Sequence, residues 1–301
     1  MFFDTHVHIT LPEQKVLHHQ LNIEEYVEIL TNQQKGIGIL FLNPFDDKYC
    51  CPNAFIDNQL HRSIVENISN KEYIIKCERC NTVHYRGGDV FRNDNIKLLE
   101  LATNNKMYAL AFLTAPNLSI QKQVDYYEYN YPEFLGYKIH STISKFPADK
   151  LRINSKKTIV FHCGNDEYAS PRKILKFAEK YQGNVIVAHF ARFEKDALVE
   201  ISEMSNVWVD MSPFTFLYNL IRTKKNQLCD TWGYTGERED ITNMFYEVAA
   251  SVGYDKILFA SDAPFGNIRK EIDFLENLNL SDENLLKIKE KNAKKAFRLV
   301  R

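Results

Sequence analysis

The chain has 301 residues, 45% of them apolar and 26% charged, with a formal net charge of −1. That length allows one large α/β domain or two ordinary ones, the apolar share suffices for a large core, and the missing charge excess disfavours nucleic acid and anionic membrane as partners. Six cysteines in so long a chain do not make a disulfide-stapled mini-domain, no segment reads as an uncharged membrane span, and the start Met1-Phe2-Phe3-Asp4 lacks the basic-then-apolar form of a secretory signal, so a soluble cytoplasmic protein is expected.

The first candidate strand, Phe2 to Ile9, carries Asp4-Thr5-His6-Val7-His8. A strand alternates faces with a period of two, so Asp4, His6 and His8 are expected on one face, close enough to share a cation. A second apolar run, Ile37 to Leu42, follows. The stretch 44–105 then takes about twice the length a simple crossover needs and is expected to be an insertion between strands two and three. It contains Cys50-Cys51, then Cys77-Glu78-Arg79-Cys80 with His84 and Gly87-Gly88 behind. A Cys-x-x-Cys pair grips zinc when two more thiolates or imidazoles approach, and Cys50, Cys51 and His84 are the available donors, so a structural zinc knuckle on Cys50, Cys51, Cys77 and Cys80 is one reading; reduced cysteines with no metal are the other.

Further candidate strands are Met107 to Thr114, Leu135 to His140, Thr158 to His162, Val185 to His189, Val207 to Met211 and Ile257 to Ser261. Lys138 and His140 share a face of the fourth by the same period. Helices are punctuated between them. Ser170-Pro171 opens one whose stripe is Ile174, Leu175, Ala178 and Tyr181, with Gly183 as its stop; Ile241, Met244, Phe245, Val248, Ala249 and Val252 mark another, ended by Gly253; Leu285, Ile288, Asn292, Ala296 and Leu299 mark the last. Strand-then-helix units imply parallel pairing, and eight strands are what a closed parallel barrel requires. One (β/α)8 TIM-barrel domain over 1–301 is therefore the expected fold. In such a barrel the strand C-termini meet at one rim, so His162, His189 and Asp262, each at the end of a strand, should converge on the His pair of the first.

With these residues in that order the chain resembles the amidohydrolase superfamily, and within it the amidohydrolase-related group of aminocarboxymuconate-semialdehyde decarboxylase-like enzymes and lactone hydrolases. Asp4-Thr5-His6-Val7-His8 matches that group's first-strand motif, Phe161-His162-Cys163-Gly164 its fifth, Ala188-His189-Phe190 its sixth and Val209-Asp210-Met211-Ser212 its seventh. Ile257-Leu258-Phe259-Ala260-Ser261-Asp262-Ala263-Pro264-Phe265 is similar to its eighth, and Lys291-Asn292-Ala293 before Phe297 and Leu299 to its last helix. The resemblance covers nearly the whole chain outside the cysteine-bearing insertion. It implies a metal-dependent hydrolase with His6, His8, His162 and Asp262 around a divalent cation, zinc by preference with manganese or iron also accepted, and His189 beside it. Asp262 would take a proton from a metal-activated water attacking an amide, lactone or ester and return it to the leaving group. His189 would bind a second metal or stabilise the oxyanion. In several other branches of the superfamily a lysine at the end of the fourth strand is carboxylated and bridges two metals, which would make Lys138 such a bridge; in the amidohydrolase-related group a similar Lys-x-His pair, here Lys138 and His140, faces the substrate without that role.

Three other functions fit parts of the pattern. Decarboxylation or hydration could use the same site. A TatD-like deoxyribonuclease shares the barrel, but that family supplies a glutamate from mid-barrel where the third strand here reads Tyr108-Ala109-Leu110-Ala111-Phe112-Leu113-Thr114. A non-catalytic zinc protein using the Cys77/Cys80 insertion for interaction is disfavoured by the complete ligand set with Asp262. The expected partner is a small-molecule substrate, and a homo-oligomer is compatible with the sequence. Asn165 and Arg192, just after the fifth and sixth strands, are placed to read substrate groups, and a carboxylate or phosphate would suit Arg192. Phe214, Phe216 and Tyr218 either wall the pocket or pack their loop; His18, His19, His61 and Trp232 are read as surface or packing residues.

Overall fold

The structure is a computed structural model that describes residues 1–12, 20–32, 36–43, 63–69, 72–77, 80–87, 91–114, 117–223 and 241–299. In chain order it places β1 (Phe3–Ile9), α1 (Ile23–Asn32), β2 (Ile37–Leu42), β3 (Ser63–Asn67), β4 (Tyr73–Cys77), β5 (Val83–Gly87), α2 (Arg92–Asn104), β6 (Tyr108–Leu113) and α3 (Asn117–Asn130). There follow β7 (Gly136–Ile139), α4 (Ser141–Ser144), β8 (Thr158–Phe161), α5 (Pro171–Ala178), β9 (Val185–Val187), α6 (Lys195–Glu203), β10 (Val207–Asp210), α7 (Phe214–Thr223), α8 (Ile241–Val252), β11 (Ile257–Leu258) and α9 (Ile268–Asn277). Short helical turns, Asp282–Leu286 and Asn292–Ala296 among them, close the chain.

Eight strands form one sheet in the order β1-β2-β6-β7-β8-β9-β10-β11, and each neighbouring pair within it is parallel. The eighth meets the first through Thr5 N–H to Phe259 O (3.1 Å), Asp262 N–H to His6 O (2.8 Å) and His8 N–H to Ala263 O (2.8 Å). The architecture is the (β/α)8 barrel that the strand count implied. The last strand is shorter than the apolar run Ile257 to Ser261, although Phe259, Asp262 and Ala263 beyond it still bond to β1.

Two apolar layers hold the barrel. Outside, the helix stripes pack on outward strand residues; Ile174, Leu175 and Ala178 of α5 and Met244, Phe245, Val248, Ala249 and Val252 of α8 are all buried there. Inside, Phe3, Ile39, Phe41, Leu110, Val160, Ile186, Trp208 and Leu258 fill the lumen, plugged from below by Ala293, Ala296 and Phe297. Each such side chain contributes roughly 1.5–3 kcal/mol on burial, so the floor is a packed solid rather than a pore. One pleat further along the same inward faces, Val160 is followed by His162 and Trp208 by Asp210. The alternation that fills the floor thus puts polar groups at the rim.

β1 departs from that alternation. Its register against β2 shifts between Asp4 and Val7. Phe3 belongs to the lumen with Phe41, and His6 and His8 lie against the same Phe41 ring at 4.9 and 4.5 Å, whereas Asp4 accepts a hydrogen bond from Tyr26 Oη of α1 on the helix side. The shared face expected for Asp4, His6 and His8 is therefore corrected to His6 and His8 alone, because a bulge inserts one residue into the period.

Between β2 and α2 the described residues hold a three-stranded antiparallel sheet, β3-β4-β5. Val65, Tyr73 and Ile75 on one face of it join the main core, and β3 packs against α4, which follows the strand carrying Lys138. α2 is an ordinary crossover helix against β2 and β6. Among the described residues no helix is long and apolar enough to cross a membrane.

Candidate metal centre

At the C-terminal rim, three acceptors dictate which nitrogen of His6, His8 and His189 carries the proton. His8 Nδ1 lies 3.1 Å from Leu42 O and His189 Nδ1 2.7 Å from Ser212 O; a carbonyl only accepts, so both Nδ1 atoms carry the proton and both Nε2 atoms present lone pairs. His6 Nδ1 lies 2.8 Å from the Asp210 carboxylate, with the same consequence for its Nε2. Burial, before any neighbouring charge, holds His6 and His162 well below the usual imidazole range and His8 and His189 below it. Neutral rings with inward lone pairs are what a cation requires of imidazole.

Asp262 stands among them. Its Oδ1 lies 3.2 Å from His6 Nε2 and 3.3 Å from His8 Nε2, yet among the described residues this buried atom accepts no well-directed hydrogen bond. Burial alone would push the carboxyl up, but the imidazoles of His6, His8 and His189 bring it down to about 2. Ligand atoms of His6, His189 and Asp262 all fall within 4.8 Å of one another. The donor set and the orphaned carboxylate oxygen fit a divalent cation.

Two strained turns hold this arrangement. Asp262 has φ 53°, and His189 through Phe193 run at φ 61°, 48°, 47°, 58° and 60°, a left-handed stretch that costs roughly 1–2 kcal/mol per residue. Asp210 Oδ1 accepts the His189 N–H at 3.0 Å, and Phe190 and Phe193 anchor the turn against Phe214. Strained backbone of this kind gathers at functional sites, and here it lies at two strand ends facing one cluster. Behind the eighth strand end, Asp4 accepts from Ser261 N–H (2.8 Å), Ser261 Oγ (2.6 Å) and Tyr26 Oη (3.1 Å), fixing the residue next to Asp262; burial pushes its own carboxyl up to about 7.

The remaining expected residues divide. Lys138 is fully buried, its Nζ 3.1 Å from His6 Nε2 and 4.6 Å from the centre of the Phe41 ring, and burial brings its ammonium down to about 8. His140 stacks on His162 at 3.8 Å, and its Nδ1 accepts the Ile143 N–H, which leaves a proton on Nε2 and makes that atom a donor rather than a ligand. His162 Nδ1 is 3.0 Å from His189 Nε2. Arg192 is buried at the end of the left-handed turn, where desolvation lowers its guanidinium to about 10 and its charge is felt by His162 and His189. Asn165 is exposed, one residue before Asp166, which accepts from Thr142 Oγ1 at 2.6 Å. Phe214 is core, Phe216 is 44% exposed and Tyr218 is buried.

Sequence reasoning gave no role to Asp210 or Glu271. Asp210 was visible as the residue two beyond Trp208 on an inward face. Glu271, fully buried on α9, accepts Thr215 N–H (3.0 Å) and Thr215 Oγ1 (2.6 Å) and reads in the sequence as an ordinary helix-surface acid. Away from the centre, Cys77 is buried at the end of β4 and Cys80 is exposed in the turn beyond it, with Sγ 3.1 Å from Thr82 Oγ1 and Asn81 at φ 59°. The backbone of His84 lies in β5. Cys50, Cys51, His18, His19, His61 and Trp232 lie outside the described residues.

The sequence model of the amidohydrolase family matches residues 157–299, the half of the barrel that carries His162, His189, Asp210 and Asp262. No curated protein matches the sequence. Among solved structures, the chain is similar to a dihydroxybenzoic acid decarboxylase from Polaromonas sp. JS666 with bound manganese and the inhibitor 2-nitroresorcinol, at 14% identity and TM-score 0.57, covering 100% of this chain and 97% of that one. It is similar to 2,6-dihydroxybenzoate decarboxylase from Rhizobium at 14% identity and TM-score 0.57, covering 99% of each. A Pseudomonas putida protein proposed to be a 2-pyrone-4,6-dicarboxylic acid hydrolase matches at 11% identity and TM-score 0.58, covering 100% of this chain and 98% of that one. At such identities these structures bear on the fold alone, and they agree on the (β/α)8 barrel. With the family match, the amidohydrolase resemblance carried by the motifs is borne out.

Proposed function

We propose that this amidohydrolase-superfamily chain is a metal-dependent enzyme that directs water at a carbonyl-type bond, amide, lactone or ester, of a small molecule bearing a carboxylate. The observation that carries the reading is the cluster of inward imidazole lone pairs around one buried, ionised carboxylate oxygen, Asp262 Oδ1, which accepts no well-directed hydrogen bond among the described residues. His6, His8, His162 and Asp262 would hold a divalent cation, with His189 beside it; this donor set suits zinc and is also accepted by manganese and iron. Such a cation supplies Lewis acidity to a substrate oxygen and makes water more acidic.

The chain's own groups supply the rest. Asp262, ionised across the neutral range, accepts the proton of the attacking water and passes it to the leaving group. His189, its proton committed to Ser212 O, offers an accepting Nε2, so it acts as a ligand or base, whereas an oxyanion needs a donor. His140 carries its proton on Nε2, beside His162 at the rim, and would donate it to a substrate oxygen. Arg192, buried and positive at the rim, binds the carboxylate as a charge-assisted pair.

Decarboxylation at the same centre is the second reading. The stacked His140 and His162 rings, with Phe265 edge-on to His8 at 5.3 Å, would flank a planar substrate, and an Arg-bound carboxylate is also a leaving group. The test loads the protein with zinc or manganese and offers a panel of lactones, esters, amides and hydroxybenzoates, following acid release and carbon dioxide separately. Acid release without carbon dioxide supports hydrolysis, and carbon dioxide from a ring carboxylate moves the assignment to lyase chemistry. A metal-loaded protein that turns over no member of the panel contradicts the enzyme reading.

A further inference from the structure

The geometry points to Asp210 as the positioning residue of the centre: a single carboxylate fixes the tautomer of His6 and the backbone turn of His189, so that both rings reach the cation site in usable form. The inference rests on the metal-centre reading above and adds to it a residue that acts without touching metal or substrate.

Asp210 ends β10 on the inward face, fully buried. Its two oxygens have separate tasks. Oδ2 receives the His6 Nδ1–H at 2.8 Å; Oδ1 receives three donors, His189 N–H at 3.0 Å, Ser212 N–H at 3.1 Å and Ser212 Oγ–H at 2.7 Å. The same Ser212 returns a bond to the site, since its carbonyl accepts the His189 Nδ1–H at 2.7 Å. His189 is thus gripped at its backbone by Asp210 and at its ring by the residue whose N–H and hydroxyl Asp210 also holds, across a turn that would otherwise relax from φ 61°.

Only a side chain that accepts on both sides can do this. An amide has one accepting end, so Asp210→Asn must choose between three donors on the loop side and one on the His6 side. The loop side prevails by number. The amide NH2 then faces His6 Nδ1, which can meet it only by giving up its proton and accepting, and the His6 proton moves to Nε2, where it blocks the lone pair a cation needs. The substitution would conserve shape and leave the His189 turn in place while turning His6 into a non-ligand. Loss of an outer partner that orients a metal-bound histidine lowers metal affinity by roughly 10- to 100-fold.

The experiment is ring-nitrogen NMR on metal-stripped protein, with zinc titration against a competing chelator and a thermal melt as the folding control. Wild type should show His6 protonated at Nδ1 and bare at Nε2. Asp210→Asn should melt cooperatively, show His6 protonated at Nε2, leave His189 protonated at Nδ1, and bind zinc at the centre roughly 10- to 100-fold more weakly. A folded Asp210→Asn with the wild-type His6 tautomer overturns the proposal. If that variant fails to fold, wild type alone decides, because His6 protonated at Nε2 there also overturns it. Should wild type bind no divalent cation, the metal-centre reading fails, while the tautomer exchange still decides the role of Asp210.

Discussion

Replacing Glu271 by Gln offers a quantitative test of the rim's electrostatics. This carboxyl is fully buried on α9; one oxygen accepts twice from Thr215 at the start of α7, the other has no hydrogen-bond partner among the described residues, and the charges of Asp4 and Asp262 oppose its ionisation. Burial first, and those carboxylates after it, push it up from 4.5 to about 8. A folded-state pKa raised above the unfolded value stabilises fully below pH about 4.5, and that contribution is lost as pH climbs through about 8. At about 1.4 kcal/mol per unit, the window corresponds to an upper bound of about 5 kcal/mol, and relaxation around a charged Glu271 brings the expected figure to a few kcal/mol. Gln keeps the Thr215 bonds through its carbonyl and cannot ionise. Urea unfolding of both proteins at pH 5, 7 and 9 should therefore show near-equal stability at pH 5 and a gap of a few kcal/mol in favour of Glu271→Gln at pH 9. Because all other titrations are common to both chains, the gap isolates this residue. A gap independent of pH, or one favouring wild type at pH 9, would refute the claim that Glu271 is neutral in the folded protein.

The centre itself yields three further expectations. Asp262→Asn should cut turnover by a factor of roughly 10² or more while most of the bound metal remains, as read by steady-state rate and metal analysis on the same sample; equal loss of metal and rate would reduce Asp262 to a ligand. Arg192→Met should raise KM for a carboxylate substrate by roughly 10- to 100-fold, the worth of a buried charge-assisted hydrogen bond, and spare the corresponding methyl ester; equal losses on both would remove Arg192 from recognition. Cys77→Ser should lower bound zinc by one equivalent and leave turnover at the remaining metal unchanged if the cysteine turn holds a structural zinc; an unchanged zinc count excludes that role.

Most of the barrel strands were readable because they are buried on both faces and appear as short apolar runs, so that His162, His189 and Asp262 stand out where the runs end. Period two then places His162 over Val160 and would have placed Asp210 over Trp208 with the same force. What hid Asp210's role is that it makes its bonds to His6, 204 residues away, and to a backbone turn that no side-chain pattern encodes. The bulge in β1 escaped for a related reason: Asp4 and His8 are in phase by counting, and only the shifted register against β2 separates them. The left-handed stretch from His189 to Phe193 has no glycine to announce it. Glu271 resembles any polar position on an amphipathic helix until α9 is seen to bury it under Thr215. The sheet of β3, β4 and β5 was met only as excess length and a Cys-x-x-Cys pair.

The central claim, one cation on His6, His8, His162 and Asp262, is tested most directly by titrating metal-stripped protein with zinc, beside His8→Ala and Asp262→Ala, with Cys77→Ser in every background to remove the cysteine turn. Wild-type rim residues should show a tight saturable site that both rim substitutions abolish, with activity rising in step with its occupancy. Zinc bound equally well by wild type and by both rim variants would contradict the account.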